Sequence, residues 1–222
     1  RHPRVERLRS MATRRGRESE RLLLLEGTHL FQELLRHGDQ PREVIATEMW
    51  LQRHADLVDR CSADVSWRLV TEEVLAAALT TVTPDGVACL ASLDDLPSMP
   101  SRLDFLLVLD RIQDPGNLGT LLRTALAADV QGVWLGSGVD PLATKTLRSS
   151  AGALLQLPHH RYGPDEQTAI KQLEQALRQL SAQGLQVVAT LPPDDHSALQ
   201  VVLYWQLDWT APTALLLGTE GA

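Results

Sequence analysis

Apolar positions follow two alternating rhythms along this chain. Short unbroken runs, "RLLLLEG", "EVIAT", "SWRLV" and "GVACLAS", read as strands. Between them "THLFQELLRHG" places Phe31, Leu34 and Leu35 at helical spacing, with Thr28 as the expected N-cap and Gly38 where a left-handed C-terminal residue is wanted. Strand and helix alternate, so residues 19–92 are expected to form a small α/β unit.

A Pro-, Ser- and Asp-rich stretch without period, "LDDLPSMPSR" at 93–102, reads as a linker. Beyond it the strand candidates are "LDFLLVLD", "GVWLG", "ALLQLPH", "LQVVAT" and "TALLLG". They are near-continuous apolar runs, as strands buried on both faces require. Helices are expected at Leu118–Ala128 and Leu142–Ser150. A third lies over "EQTAIKQLEQALRQLSAQG", where Ile170, Leu173, Leu177 and Leu180 share a face and Gly184 ends the helix. Residues 103–222 therefore predict a second α/β domain built on a parallel sheet.

Composition narrows the class. The 222 residues are 44% hydrophobic, and the longest apolar runs, Leu22–Leu25 and Phe105–Leu109, are far too short to span a bilayer. The N-terminus has charge but no apolar segment of the secretory type, and Cys61 and Cys89 make neither a metal set nor a disulfide framework, so a reducing cytoplasm is the expected compartment. Net charge is −7, yet residues 1–21 carry eight Arg against three Glu, a local +5 that leaves about −12 elsewhere. Residues 1–18 are therefore expected to form a basic arm, with Val5, Leu8 and Met11 spaced for a helix that docks lightly. Of 21 basic residues 19 are Arg, whose planar fork suits phosphate, although a compositional bias would give the same count.

The segment with most chemical content is "LDRIQDPGNLGTLLRTALAADVQGVWLG", Leu109–Gly136. Pro115 and Gly116 form a turn, Asn117 is the expected N-cap, and Gly119 permits a close approach at the first helical turn. A tight strand-to-helix connection accounts for these residues by itself. Leu118, Leu121, Leu122, Ala125 and Leu126 form the apolar stripe, which places Arg123 off it, beside Thr120, Thr124 and Ala127. A solvated surface Arg is the plain alternative. No G-x-G-x-x-G or G-x-x-x-x-G-K-[ST] occurs, which argues against nicotinamide cofactors and P-loop nucleotides. His159 and His160 are adjacent and point to opposite sides of a strand, so no metal is expected. Two further strand ends carry polar tips: "VVATLPP" ends in Thr190, and "ALLLGTEGA" ends in Gly218, Thr219, Glu220 and Gly221. Ligands collect at such carboxyl edges, so one shared pocket is expected.

These residues resemble the SpoU (TrmH-type) family of SPOUT RNA 2′-O-ribose methyltransferases. "LVLDRIQDPGNLGTLLRTALAADVQGVWL" is similar to its first signature, "LLLGTEGA" to its second, "KTLRSSAGAL" to its connecting region, and "RESERLLLLEGTHLFQELL" to its N-terminal substrate-binding domain. The resemblance implies a parallel-sheet SPOUT domain with a deep trefoil knot, preceded by a small L30e-like α/β domain. It also implies S-adenosyl-L-methionine as cofactor, ribosomal or transfer RNA as partner, and a homodimer formed through the C-terminal domain. Neither metal nor membrane is implied. By resemblance Asn117, Arg123 and Glu220 are catalytic. Thr190, Leu191, Leu217, Gly218 and Thr219 hold the methyl donor, and Arg14, Arg15, Lys145 and Arg148 contact RNA.

Two features depart from the family pattern. Thr219 stands where Asn is usual, and the third signature would fall past Ala222, so the 222 residues are expected to be part of a longer protein. The alternative from another class is a catalytically inactive RNA-binding protein of the same fold.

Overall fold

The computed structural model of the chain describes residues 3–191 and 201–218. It falls into two compact units. The first comprises residues up to Pro97 together with Asp114–Thr124 and Asp140–Gln156; the second comprises Ser98–Gln113, Ala125–Val139 and the residues from Leu157 on. Two stretches beyond the Pro-rich segment thus pack with the N-terminal residues.

In chain order the first unit opens with α1 (Pro3–Met11), α2 (Arg14–Glu20), β1 (Leu22–Glu26), α3 (Thr28–Arg36) and β2 (Glu43–Ala46). It continues with α4 (Glu48–Arg53), α5 (Ala55–Asp59), β3 (Ser66–Leu69), α6 (Glu72–Ala78) and β4 (Val87–Ser92). The sheet order is β1-β4-β2-β3. β4 runs antiparallel to both neighbours, with Leu24 opposite Leu90 and Val44 opposite Cys89, whereas β2 and β3 are parallel. All six β4 residues are buried, the signature of a strand covered on both faces; β3, at the edge, has none buried.

The N-terminal helices do more than dock lightly. Leu8 and Met11 enter a cluster with Leu24, Ile45, Leu75 and Leu90, and Met11 has no exposed surface. A glycine brings the two helices together: a Cβ on Gly16 would lie 2.1 Å from the Ser10 carbonyl oxygen. Thr13 caps α2 by accepting from the Gly16 N–H at 3.1 Å. Buried Arg17 then donates to the carbonyls of Met11 and Ala12 at the end of α1 and forms an ion pair with Asp140. Much of the basic charge is committed within the fold, since Arg7 pairs with Glu20 and Glu43, and Arg14 with Glu18.

The remaining elements are β5 (Phe105–Leu109), α7 (Pro115–Ala127), β6 (Gly132–Leu135), α8 (Thr144–Ser149), β7 (His159–Arg161), α9 (Glu166–Ala182), β8 (Gln186–Ala189) and β9 (Thr213–Leu217). The second unit carries a five-stranded, wholly parallel sheet in the order β7-β6-β5-β9-β8. Leu106, Val108 and Ala214 pack with Leu173 of α9 in its core. Asp165 caps α9 by accepting from Thr168, and Gly184, at φ +97°, follows its end as expected. "ALLQLPH" is not a strand. Gly152 turns left-handed, Ala153–Leu155 form a single 3₁₀ turn, and Pro158, lacking an N–H, delays the ladder until His159.

Candidate functional site

The turn before α7 is built differently from the sequence expectation. The helix starts at Pro115, whose missing N–H costs nothing at the first position, and Asp114 is its cap: Oδ1 accepts the Asn117 backbone N–H at 2.8 Å. Asn117 is therefore a residue of the first turn and is exposed. Gly119 does permit a close approach. A Cβ there would lie 2.1 Å from Ser149 Oγ, and that hydroxyl donates to the Pro115 carbonyl at 2.7 Å, tying the end of α8 to the start of α7. Leu118, Leu122 and Ala125 are buried, while Arg123 is exposed and has no hydrogen-bond or ion-pair partner among the described residues. Thr120 and Thr124 are exposed beside it, each hydroxyl donating to a carbonyl four residues back.

The second unit gathers its own polar groups at the carboxyl edge of its sheet. Asp110 follows β5, and its N–H donates to the Leu217 carbonyl at 3.0 Å. Its Oδ1 is buried with no partner among the described residues, as is Ser137 Oγ after β6. Gly136 makes room, since a Cβ there would lie 2.3 Å from Asp110 Oδ1. Arg111 adopts a left-handed backbone (φ +56°) and donates its N–H to the Ser137 carbonyl; Ile112 then bridges to Gly138, where a Cβ would lie 2.4 Å from the Ile112 oxygen. After β8, Thr190 donates its N–H to the Leu216 carbonyl at 3.1 Å. Thr190, Leu191 and Gly218 are exposed, Leu217 half-buried, and nothing stands within 4 Å of a Cβ placed on Gly218. A groove of about 500 Å³ beside Asp110 is lined by Leu173, Leu177, Val187 and Leu216. Orphaned acceptors next to apolar walls and an open glycine fit S-adenosylmethionine, which offers amine and hydroxyl donors and a flat base. Thr219 and Glu220 lie outside the described residues. Sequence reasoning missed Asp110, although an acid ending an unbroken apolar run was its visible signal.

The basic residues are unequal. Arg15 and Lys145 are exposed, and Arg14 is exposed but paired with Glu18 at 2.6 Å. Arg148 is paired with Glu26, a carboxylate buried at the end of β1. Glu26 also accepts from the backbone N–H and hydroxyl of both Thr80 and Thr81. Asp85 in the same loop caps α3 by accepting from the Thr28 N–H at 2.8 Å, leaving the Thr28 hydroxyl to accept from Trp50 Nε1. Among the described residues no group of His, Cys, Asp and Glu is placed to hold a metal ion, and no helix is long and apolar enough to cross a membrane.

Comparison with known proteins identifies the family. Residues 2–89 match the MRM3-like substrate binding domain. An uncharacterized tRNA/rRNA methyltransferase of Synechocystis is 41% identical over 99% of this chain and 76% of its own length. The 23S rRNA (guanosine(2553)-2′-O)-methyltransferase of Bacillus subtilis is 28% identical over 98% of this chain and 79% of its own length. Among solved structures, the AdoMet complex of the SpoU methyltransferase AviRb from Streptomyces viridochromogenes covers all of this chain (83% of its own) at 25% identity with a TM-score of 0.76. The AdoMet-bound rRNA methyltransferase from Sinorhizobium meliloti does so (79% of its own) at 27% and 0.73. Residues 104–222 match the SpoU rRNA methylase family, and the chain belongs to it.

Proposed function

We propose that the chain transfers a methyl group from S-adenosylmethionine to a ribose 2′-OH of ribosomal RNA. The observation that carries this reading is Arg123: an exposed guanidinium without a partner among the described residues, on a helix whose buried stripe and capped start fix its direction. Bound S-adenosylmethionine supplies an electrophilic methyl group on a sulfonium. A guanidinium stays protonated, so Arg123 acts as a fixed cation that stabilises charge developing on the 2′ oxygen, whose proton leaves to solvent as the methyl group arrives, and orients the adjacent phosphate. Asn117 and the second-signature acid Glu220 complete the catalytic set. The donor is held by Thr190, Leu191, Leu217 and Gly218, whose backbone groups at the strand ends suit a polar ligand, together with Thr219. Arg14, Arg15 and Lys145 contact RNA phosphates, and Arg148, held by Glu26, anchors α8.

A homodimer formed through the C-terminal residues goes with this reading. Val201, Leu203, Tyr204, Trp205 and Trp209 are exposed large hydrophobics in a stretch, 201–210, that has one Asp and no Lys or Arg, a chemistry that favours protein over RNA. The position of β9 between β5 and β8 supports a knotted path, because the chain returns to the middle of the sheet after laying down its edge. Two free cysteines suit the cytoplasm.

The test is single-turnover transfer of labelled methyl onto ribosomal RNA, followed by nuclease mapping. Label in a nuclease-resistant 2′-O-methylated dinucleotide is expected. Label on a base, or none in any RNA, would overturn the reading.

A further inference from the structure

A groove of about 630 Å³ opens on the first unit where the edge strand β3 leaves the sheet incompletely covered between α1 and α6. We infer that this groove seats an unstacked nucleotide of a single-stranded RNA segment, an inference that rests on the RNA substrate proposed above. Its volume suits a drug-sized ligand, and single-stranded RNA is read through bases splayed into such clefts.

The lining has the two chemistries a nucleotide needs. Val5, Leu69 and Val74 give an aliphatic wall, and Leu69 and Val74 are 65% and 36% exposed, surface that folding leaves uncovered. Arg4, Arg7 and Arg68 stand on the same groove, with Glu43 the acid of its lining, and Arg7 is also paired with Glu20. Guanidinium groups beside an aliphatic wall, on a chain of net charge −7, make a local site for a phosphodiester. Glu43 holds two of them in place, accepting from Arg7 Nη1 at 2.9 Å and Arg68 Nε at 3.2 Å. Arg68 spends only its Nε–H on that bond, which leaves its two Nη groups for a ligand.

Register favours RNA over an added peptide strand. Arg68 pairs with Ile45, so the edge strand turns a charge toward the face that the helices cover, a device that discourages strand addition and keeps an extended peptide off this edge. Planar guanidinium and aliphatic surface both accept the face of a base.

The experiment measures binding of a fluorescent single-stranded oligoribonucleotide to the full chain across a salt series, for the wild type, Arg4→Ala and Leu69→Ser. Both side chains are exposed, so both variants should fold. Arg4→Ala should lower the slope of log affinity against log salt by about 0.7, the loss of one single-strand phosphate contact. Leu69→Ser should weaken binding about tenfold with the slope unchanged. Cross-linking with a 4-thiouridine oligonucleotide should label peptides of α1 or β3. Wild-type affinity and slope in both variants, with RNA still bound, would overturn the groove and leave methyl transfer standing; no RNA binding by the wild type would overturn both. A Leu69→Ser change in sedimentation with RNA affinity unaltered would assign the groove to a second copy and overturn the inference.

Discussion

Arg148 reaches back over 122 residues to the buried carboxylate of Glu26 and shares it with two threonines of one loop. The Glu26 side chain is 1% exposed and that of Arg148 32%, so the two ends of the pair are not equivalent. Removing the acid takes the shared acceptor from five donors, of which Arg148 Nη1 keeps the Thr80 hydroxyl and that hydroxyl keeps Thr144, whereas removing the base leaves a carboxylate still held by the Thr80 and Thr81 groups. Glu26→Ala should therefore cost about 3 kcal/mol, and Arg148→Met clearly less. Urea titrations of the two variants check the order; equal losses would mean that the threonines contribute nothing.

Gly119→Ala tests the junction of α7 and α8. The new methyl group would meet Ser149 Oγ at 2.1 Å and the Ser149 carbonyl carbon at 2.6 Å. Because backbone as well as side chain is in the way, a loss of about 2 kcal/mol is expected, and adding Ser149→Ala should recover only part of it. Thermal denaturation of the double-mutant cycle measures this.

Arg123→Ala should leave stability within about 0.5 kcal/mol of the wild type, as for an exposed side chain without partners among the described residues. Methyl transfer should fall by roughly a hundredfold or more if the cation stabilises the reacting oxygen. Arg123→Lys should remain severely impaired, because a point charge does not reproduce a planar two-point contact. Single-turnover rates across pH decide: near-wild-type activity for the Lys variant with a new ionisation would assign Arg123 as a base instead.

Cys61 and Cys89 should part company in alkylation. Burial pushes the Cys89 thiol well above its ordinary range and leaves it no exposed surface, while Cys61 is only partly buried, although its thiol is also raised. Iodoacetamide at pH 8 should modify Cys61 slowly and Cys89 only after unfolding. Mass spectrometry of the native chain checks this, and fast labelling of Cys89 would show that the centre of the first sheet opens readily.

The strands were legible because their signal is local. "VACLA" and "FLLVL" are apolar at every position and became the body of β4 and the whole of β5, and the stripe of α9 ended at Gly184 as its pattern required. Features that depend on distant partners were not. Asn117 has the right residue type for a cap, but Asp114 stands one position before Pro115 and takes the role. The basic N-terminus reads as a free arm, because nothing local announces that Arg17 will find Asp140 or that Met11 will be enclosed. At the site, the exposure of Arg123 followed from helical spacing alone, whereas the orphaned oxygen of Asp110 exists only once β5 and β6 lie side by side.

The first unit is assembled from three separated stretches, the last ending at Gln156. During synthesis its packing closes late. A nascent chain that has emerged only to Pro97 holds Glu26 without Arg148 and Arg17 without Asp140, an acid and a base each destined for burial and each still lacking its counter-charge. Such a chain should stay loosely packed and open to protease until some sixty further residues have left the ribosome, and then tighten in one step.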